Sequence, residues 1–232
     1  MNFLIGIVAV RPSYRKRTIQ LIEQLAPLNV NFIVLTDKIE DFAFSNRIKT
    51  IKYDKPIFSF HDKRIIFEEG FKISDCVLLL DADHIVKENN NLATLEDIPI
   101  EPGIYPQILW KHPADCSLEC FIQGLTPRVP YGKEFKNRCN ELGLETDGAI
   151  LFQESFLLIK KHDNIDKFLS IWRDLAAFCE QKDRERHQGI LGYGEGYSVG
   201  IAVKNSGLNL FENHKIMHQL TKNLKHIAWE PK

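Results

Sequence analysis

The alternation of short apolar runs with helical patterns constrains this chain more than any other feature of its sequence. Apolar runs at Phe3–Val10, Asn31–Thr36 and Cys76–Leu80 alternate with segments whose apolar residues recur at helical spacing, Arg15–Ala26 and Asp62–Ile73. Strands that are apolar throughout belong to sheets covered on both sides, and the strand–helix repetition favours parallel pairing. The sequence therefore predicts an α/β fold, with a mixed, mainly parallel sheet flanked by helices on both faces.

The second half of the chain is less regular but continues this pattern. Further strands are expected at Gly103–Trp110 and Phe156–Lys160, and further helices at Ile165–Cys179 and Gly194–Ser206. Residues 115–138 contain Pro127, Pro130 and Gly132, which favour turns, and are expected to form a loop-rich insertion.

Composition limits the class of protein. The 232 residues are 44% hydrophobic and 26% charged, which is ordinary for a soluble globular protein. A net charge of -1 does not favour binding to nucleic acid or to an anionic membrane. No apolar run reaches the roughly 18 residues needed to span a bilayer, and the apolar start lacks the basic segment of a signal peptide. We therefore expect a soluble, cytoplasmic protein whose 5 irregularly spaced cysteines are reduced.

The strongest chemical signal is the segment VLLLDADHIV, in which an apolar strand runs directly into Asp81 and Asp83. In an open α/β sheet, ligands bind at the carboxyl ends of the strands. Two carboxylates at such an end are suitable ligands for a hard divalent cation, Mn²⁺ or Mg²⁺. If a diphosphate shares that cation, the protein needs to supply only a few ligands, and the cation stabilises charge on the departing phosphate.

An apolar strand followed by Asp-x-Asp also occurs in haloacid-dehalogenase-like phosphatases, where the first Asp is a nucleophile. In that family the motif follows the first strand, with Thr or Val two residues after the second Asp. Here Ile85 occupies that place, and three predicted strands precede the motif, at Phe3–Val10, Asn31–Thr36 and Arg47–Tyr53. A Mg-dependent phosphatase of this type remains an alternative.

A second motif, GYGEGYS, surrounds Glu195 with three glycines just before a predicted helix. Glycine permits close approach of the backbone, and the amides at a helix start attract anions. A glutamate at this place also stabilises the helix by itself, so a structural and a catalytic interpretation both remain open.

The order of these elements resembles that of metal-dependent glycosyltransferases of the GT-A fold. The pattern is most similar to the retaining blood-group-type galactosyl- and N-acetylgalactosaminyltransferases, and also to glycogenin-like and lipopolysaccharide transferases. The resemblance implies one domain over residues 1–232, with a nucleotide-sugar-binding half at 1–86 and an acceptor-binding half at 87–232. It implies transfer of a sugar from a nucleoside-diphosphate sugar, expected to be a UDP-sugar, to a hydroxyl of a saccharide or glycoconjugate.

The resemblance also implies which residues hold the nucleoside. Ala9 and Val10 would contact it through the backbone, and Tyr14 would stack on the base, unless Tyr14 only packs on its helix. Thr36 and Asp37 close the second strand, where an acidic group would bind ribose or uracil. A plain turn is the alternative interpretation of Asp37.

For the phosphates and the sugar, the resemblance implies a second group of residues. An Arg in the helix before the Asp-x-Asp motif reaches the phosphates or orients the first Asp, and Arg64 is expected to do so, with Lys63 behind it. A solvated helix face is the alternative for Arg64. Trp110-Lys111-His112-Pro113 resembles an apolar-His-Pro segment near the donor sugar. The expected donor-binding set is Ala9, Val10, Tyr14, Thr36, Asp37, Lys63, Arg64, Asp81, Ala82, Asp83 and His112.

Glu195 and Glu154 are the expected catalytic residues. Glu195 matches a carboxylate that faces the reacting carbon, and Glu154 falls where the family places residues around the sugar. The blood-group type has His-Asp-Glu-Ser where this chain has Tyr-Gly-Glu-Gly, so a nucleophile, a stabiliser of a cationic centre and a general base remain open as roles. His226 resembles a C-terminal third metal ligand, although its spacing departs from His-x-x-Gly-x-x-Lys-Pro-Trp.

Two further alternatives share this class of fold. A sugar nucleotidyltransferase usually carries a glycine-rich signature after the first strand, whereas this chain has Val10-Arg11-Pro12-Ser13. A non-catalytic nucleotide-sugar-binding protein would keep the pocket and would tolerate the loss of Glu195.

Overall fold

A six-stranded sheet forms the centre of the molecule. The computed structural model describes residues 3–87, 98–106, 131–152, 156–186, 191, 194–212 and 214–226. The described strands are β1 (Leu4–Ala9), β2 (Asn31–Thr36), β3 (Ile48–Lys52), β4 (Cys76–Asp81), β5 (His84–Val86), β6 (Gly103–Pro106), β7 (Phe156–Lys160) and β8 (Leu224–His226). Six of them form the main sheet in the order β3-β2-β1-β4-β7-β6, and β5 pairs with β8 in a small second sheet.

The main sheet is mixed and mainly parallel, as the sequence predicts. Strands β3, β2, β1 and β4 run parallel, and β7 is antiparallel to both of its neighbours, β4 and β6. The central strands carry buried apolar residues on both faces because both faces of the sheet are covered. The carboxyl ends of β1, β2 and β4 consequently meet at one edge of the sheet.

Helices cover both faces of this sheet. They are α1 (Pro12–Leu25), α2 (Lys63–Gly70), α3 (Gly132–Glu141), α4 (Ile165–Arg186), α5 (Glu195–Ser206) and α6 (Lys215–Asn223). One face packs Leu79 of β4 against Phe67 of α2 and Trp172 of α4. On the opposite face, Leu78 and Leu80 of β4 pack against α1 and against Met217 of α6. Successive residues of a strand therefore enter two separate cores.

The expected loop-rich insertion at residues 115–138 is wrong for its last part, because α3 covers 132–141. Phe135 and Cys139 lie four residues apart on this helix and both are buried, so one helix face contributes to the core. Residues 107–130, which include the end of the predicted strand Gly103–Trp110, lie outside the described residues. Helix α6 and strand β8 were not predicted.

Among the helices that the structure describes, none is both long and apolar enough to cross a membrane. Cys76, Cys139 and Cys179 are buried free thiols, and burial raises the pKa of each to about 12. Cys116 and Cys120 lie outside the described residues.

Candidate active site

The carboxyl edge of the sheet collects the first group of predicted site residues. In the parallel register Val8 lies opposite Asp81 and Ala9 lies opposite Thr36, so the ends of β1, β2 and β4 are adjacent. Asp81 is the last residue of β4, and Asp83 lies in the tight turn between β4 and β5. The Asp81 side chain is 27% exposed, whereas Asp83 is only 8% exposed. The Asp81 carboxylate is therefore partly open to solvent, whereas Asp83 is largely shielded from it.

Lys63, the first residue of α2, joins this edge to the second predicted motif. Its Nζ lies 3.1 Å from Oδ1 of Asp81 and 3.5 Å from Oε2 of Glu195. The side chains of Lys63 and Glu195 are only 6% and 5% exposed. Charges this deeply buried are stable only when they are paired, so the two carboxylates and the ammonium stabilise one another. The structure thus brings together the two motifs that sequence analysis singled out separately.

A buried cluster just before α2 holds Lys63 in place. The carboxylate of Asp62 is fully buried, accepts a hydrogen bond of 2.8 Å from the Tyr53 hydroxyl and pairs with the Lys55 ammonium. Burial, followed by the bond to Asp62, raises the pKa of Tyr53, so its hydroxyl stays a donor. Sequence analysis did not identify Tyr53, Lys55 or Asp62. The signal available in the sequence was the run of polar residues that opens α2.

His61 lies in the same turn and is completely buried. Burial, followed by the positive charges of Arg64, Lys55 and Lys63, lowers its pKa from 6.5 to about 3. Neither ring nitrogen has a hydrogen-bond partner among the described residues. The ring is therefore neutral at physiological pH.

Glu195 owes its position to the start of α5 and to close packing along that helix. Gly194, directly before it, has φ of 115°, a conformation that favours glycine. Farther along, a Cβ on Gly200 would lie 1.9 Å from the carbonyl oxygen of Ile150, so only glycine lets α5 approach this segment so closely. These two glycines bring the helix start to the edge of the sheet.

Arg64 points to a different partner from Lys63. Its Nη1 donates hydrogen bonds of 3.0 and 3.1 Å to Glu68 on the same helix, and Glu68 also accepts from Arg173. Lys63, and not Arg64, contacts Asp81 in this structure. A role of Arg64 toward the phosphates stays a prediction.

The loops that follow β1 and β2 are tied together by Asp37. Its carboxylate accepts two bonds from Nη1 of Arg15, at 2.7 and 2.8 Å, and one of 3.2 Å from the amide of Arg11. Burial alone would raise the pKa of Asp37, but these bonds outweigh it and hold the pKa below its ordinary value. Asp37 therefore remains ionised and braces the loop that starts α1.

The remaining residues that are expected to bind the donor in the first half of the chain lie around the contacts of Asp37. The Thr36 hydroxyl donates to the Ala9 carbonyl at 3.0 Å and so connects the two strand ends. Val10 and Tyr14 are half-buried and pack against the core on opposite faces of the sheet. Ala82 is buried in the turn between β4 and β5. Contacts of these residues with a nucleoside stay predictions.

The C-terminal strand β8 returns to the same edge. It pairs antiparallel with β5, and the backbone of His226 lies opposite His84, the residue that follows Asp83. Nδ1 of His84 is 3.0 Å from the carbonyl oxygen of Asp81. The side chain of His226, and the whole of His112 and Glu154, lie outside the described residues, so their roles stay predictions.

The charges at this edge fit a divalent cation. By formal charge, the three carboxyl groups of Asp81, Asp83 and Glu195 exceed the single ammonium of Lys63 by two negative charges. In the described part of the chain no group of three or more potential ligands forms a metal site. A pair of carboxylates is nevertheless the protein contribution expected for Mg²⁺ or Mn²⁺ that also binds water and substrate phosphates.

Solved structures with a similar fold are glycosyltransferases. The galactosyltransferase LgtC, in complex with donor and acceptor sugar analogs, is 15% identical with a TM-score of 0.45, over 90% of this chain and 72% of LgtC. An active-site mutant of LgtC is 16% identical with a TM-score of 0.45 over the same shares. GlyE from Streptococcus pneumoniae TIGR4 is 14% identical with a TM-score of 0.49, over 90% of this chain and 45% of GlyE. This chain thus spans less than half the length of GlyE.

No protein-family model matches the chain, and no curated protein matches it by sequence. At identities and TM-scores this low, the structural likeness carries no argument about activity. Conclusions about function therefore depend on the geometry of the site.

Proposed function

We propose that this chain is a metal-dependent glycosyltransferase, which moves a sugar from a nucleoside-diphosphate sugar, expected to be a UDP-sugar, to a hydroxyl of a saccharide or glycoconjugate. The observation that carries the proposal is the cluster at the carboxyl end of β4, where Lys63 lies 3.1 Å from Asp81 and 3.5 Å from Glu195, with Asp83 in the adjoining turn. The cluster combines a carboxylate pair for a cation with a buried carboxylate for the reaction centre.

Asp81 and Asp83 are the proposed ligands of Mn²⁺ or Mg²⁺. Such a cation, when bound, offsets the negative charge on the departing diphosphate. Asp83 is held by the turn and is largely shielded from solvent, while Asp81 is partly open to it. His226 is the proposed third ligand, since its backbone lies beside the residue that follows Asp83.

The proposed donor site extends from this pair over the loops after β1 and β2. The hydrogen bonds between Arg15 and Asp37 connect the two loops. This connection would reduce the entropy that the loops lose when a nucleoside binds. Ala9, Val10 and Tyr14 would contact the nucleoside on one side, and Thr36 with Asp37 on the other. Arg64, Lys63, Ala82 and His112 complete the proposed contacts to the phosphates and the sugar.

Glu195 is the proposed carboxylate at the reacting carbon, with Glu154 as a second catalytic candidate. In a retaining reaction Glu195 would attack or stabilise the cationic sugar carbon, and in an inverting reaction it would accept the proton of the acceptor hydroxyl. The anomeric configuration of the product distinguishes these two roles. In the same proposal, residues 1–86 bind the donor and residues 87–232 bind the acceptor.

Calorimetric titration of UDP, GDP and CDP, with and without Mn²⁺, tests this proposal. We expect UDP to bind only with Mn²⁺, and Asp83→Ala to weaken that binding by at least about tenfold, because metal affinity depends on ligands and on their immediate surroundings. Asp75→Ala is the matched control, since Asp75 is exposed at the opposite end of β4. A protein that binds UDP should then be screened for slow hydrolysis of UDP-sugars.

Two results would contradict the proposal. The first is a failure of all three nucleotides to bind in the presence of Mn²⁺. The second is Mg-dependent cleavage of a generic phosphate ester without any nucleotide affinity, which would indicate the phosphatase. Binding of UDP without transfer or donor hydrolysis would indicate a nucleotide-sugar-binding protein instead.

A further inference from the structure

Lys63 lies between the proposed metal ligands and the proposed reaction centre. Its ammonium contacts Asp81, a proposed metal ligand, and Glu195, the proposed carboxylate at the reaction centre, at 3.1 and 3.5 Å. The two carboxylates belong to different elements, β4 and α5, and Lys63 contacts both of them. A change in the charge of Asp81 would therefore reach Glu195 through this side chain.

The ammonium cannot easily leave this cluster. The Lys63 side chain is 6% exposed, and its Nζ lies 5.6 Å from the centre of the Phe60 ring, which also attracts a cation. The buried cluster of Asp62, Tyr53 and Lys55 fixes the backbone just before it. The lysine is thus restricted to small movements between its two carboxylates.

A divalent cation bound by Asp81 would compete directly with this lysine. Both would interact with the same carboxylate, and two cations that share an anion repel each other strongly where solvent screening is weak. Glu195 offers the ammonium a second carboxylate within reach. Binding of the cation would therefore weaken the contact of Lys63 with Asp81 and strengthen its contact with Glu195.

We propose that Lys63 is a positioning residue that competes with the divalent cation for Asp81 and, once displaced, holds Glu195 in place for the reaction. This inference rests on the proposed function, because it requires a metal at Asp81 and Asp83. It means that the ammonium partly offsets the carboxylates when no cation is bound, and that metal binding and the position of Glu195 are coupled. Such coupling is reciprocal by thermodynamic necessity.

The coupling predicts effects of opposite sign on binding and on turnover. Lys63→Met removes the competing charge, so Mn²⁺ should bind about tenfold more tightly, within the usual range of coupling between sites. The same change removes the contact that positions Glu195, so donor hydrolysis or sugar transfer should slow. If the lysine had only a structural role, Lys63→Met would instead weaken Mn²⁺ binding, because disorder at the site weakens binding.

The test is a titration of the purified 232-residue chain with MnCl₂, first without nucleotide, so that the proposed contact of Lys63 with the phosphates plays no part, and then with UDP. The electron paramagnetic resonance signal of free Mn²⁺ follows the binding. Lys63→Met is compared with Lys63→Arg, which keeps the charge and should keep the wild-type affinity within about twofold. Lys72→Met is the matched control, because Lys72 is exposed and pairs with Glu69 away from the site. Circular dichroism checks that each variant is folded.

Each outcome bears on one of the two proposals. Tighter Mn²⁺ binding by Lys63→Met, with slower turnover, supports the competition. Equal or weaker binding by Lys63→Met, while the wild type binds Mn²⁺ and UDP, overturns the competition and leaves the glycosyltransferase proposal intact. No Mn²⁺ binding by the wild type overturns both. If Lys63→Met does not fold, Lys63→Gln takes its place with the same expected direction.

Discussion

At the scale of single residues, three consecutive polar side chains are buried but are stabilised in different ways. His61, Asp62 and Lys63 are all buried in the turn that opens α2. Asp62 is stabilised by Tyr53 and Lys55, and Lys63 is stabilised by carboxylates from two other elements. His61 is buried next to positive charges instead, and its ring stays neutral. The partners within reach therefore decide how each of the three buried side chains is stabilised.

His61 should make the protein less stable as the pH falls. Its folded-state pKa is lowered to about 3, so between pH 6.5 and 3 the unfolded chain takes up a proton that the folded protein does not. The free energy of unfolding should therefore fall by about 1.4 kcal/mol per pH unit in this range from His61 alone. Urea unfolding at pH 7 and pH 5 should show that His61→Phe loses about 2 kcal/mol less than the wild type.

His218→Phe serves as the control for this measurement, because His218 is exposed on α6. It should show the same pH dependence as the wild type. An unchanged pH dependence in His61→Phe would contradict the interpretation that His61 is neutral in the folded protein.

At the scale of elements, helix α5 connects the packing of the core with the candidate chemistry. Its first residue is Glu195, and its middle approaches the segment at Ile150 through Gly200. On either side of Gly200, Val199 and Ile201 enter the core that covers one face of the sheet. The position of the carboxylate therefore depends on contacts along the whole helix and not only on its first turn.

Gly200→Ala should displace α5 and destabilise the protein. A Cβ at this position would lie 1.9 Å from the Ile150 carbonyl oxygen, which belongs to the backbone and cannot rotate away. We expect the free energy of unfolding to fall by about 1–3 kcal/mol, as for other overpacked cores. Urea unfolding measures this change, and Lys204→Ala on the same helix should stay within about 0.5 kcal/mol of the wild type. A Gly200→Ala variant as stable as the wild type would show that the helix can shift at no cost.

At the scale of the whole molecule, the sheet joins the two parts of the chain. Strand β7, at residues 156–160, lies between β4 and β6 and pairs with both, so the proposed donor-binding half shares its sheet with the half that follows. Helix α4 covers one face of strands from the first half, with Trp172 against Phe67 of α2. The core that supports Asp81 is therefore built from distant segments.

Residues 1–87 should not fold by themselves. Without β7 the apolar strand β4 would become an unpaired edge, and without α4 one face of the sheet would be open to water. Thermal unfolding of this fragment, followed by circular dichroism, should show no cooperative transition, whereas the full chain prepared in the same way should show one. A cooperative transition of the fragment would mean that the first half forms an independent core.

The main features of the fold could be predicted because they depend on local patterns. The apolar runs of β1, β2 and β4 identify strands covered on both faces, and each carries that information within a few residues. Because Asp81 ends such a strand and Asp83 follows in the turn, their place at the carboxyl edge follows from the sequence alone. The helix start at Glu195 and its end at Gly207, with φ of 78°, are equally local.

The choice between Lys63 and Arg64 shows what the sequence could not decide. Neighbouring residues on a helix point about 100° apart, so the one that reaches Asp81 depends on how α2 is rotated against the sheet. That rotation is set by the core contacts of Ile66 and Phe67 and by the buried Asp62. The meeting of Lys63 with Glu195 and the pairing of β8 with β5 likewise join segments far apart in the chain. The sequence by itself determined which residues end strands and start helices, whereas only the tertiary structure decided which of them touch, because contacts between distant segments depend on packing that no local pattern records.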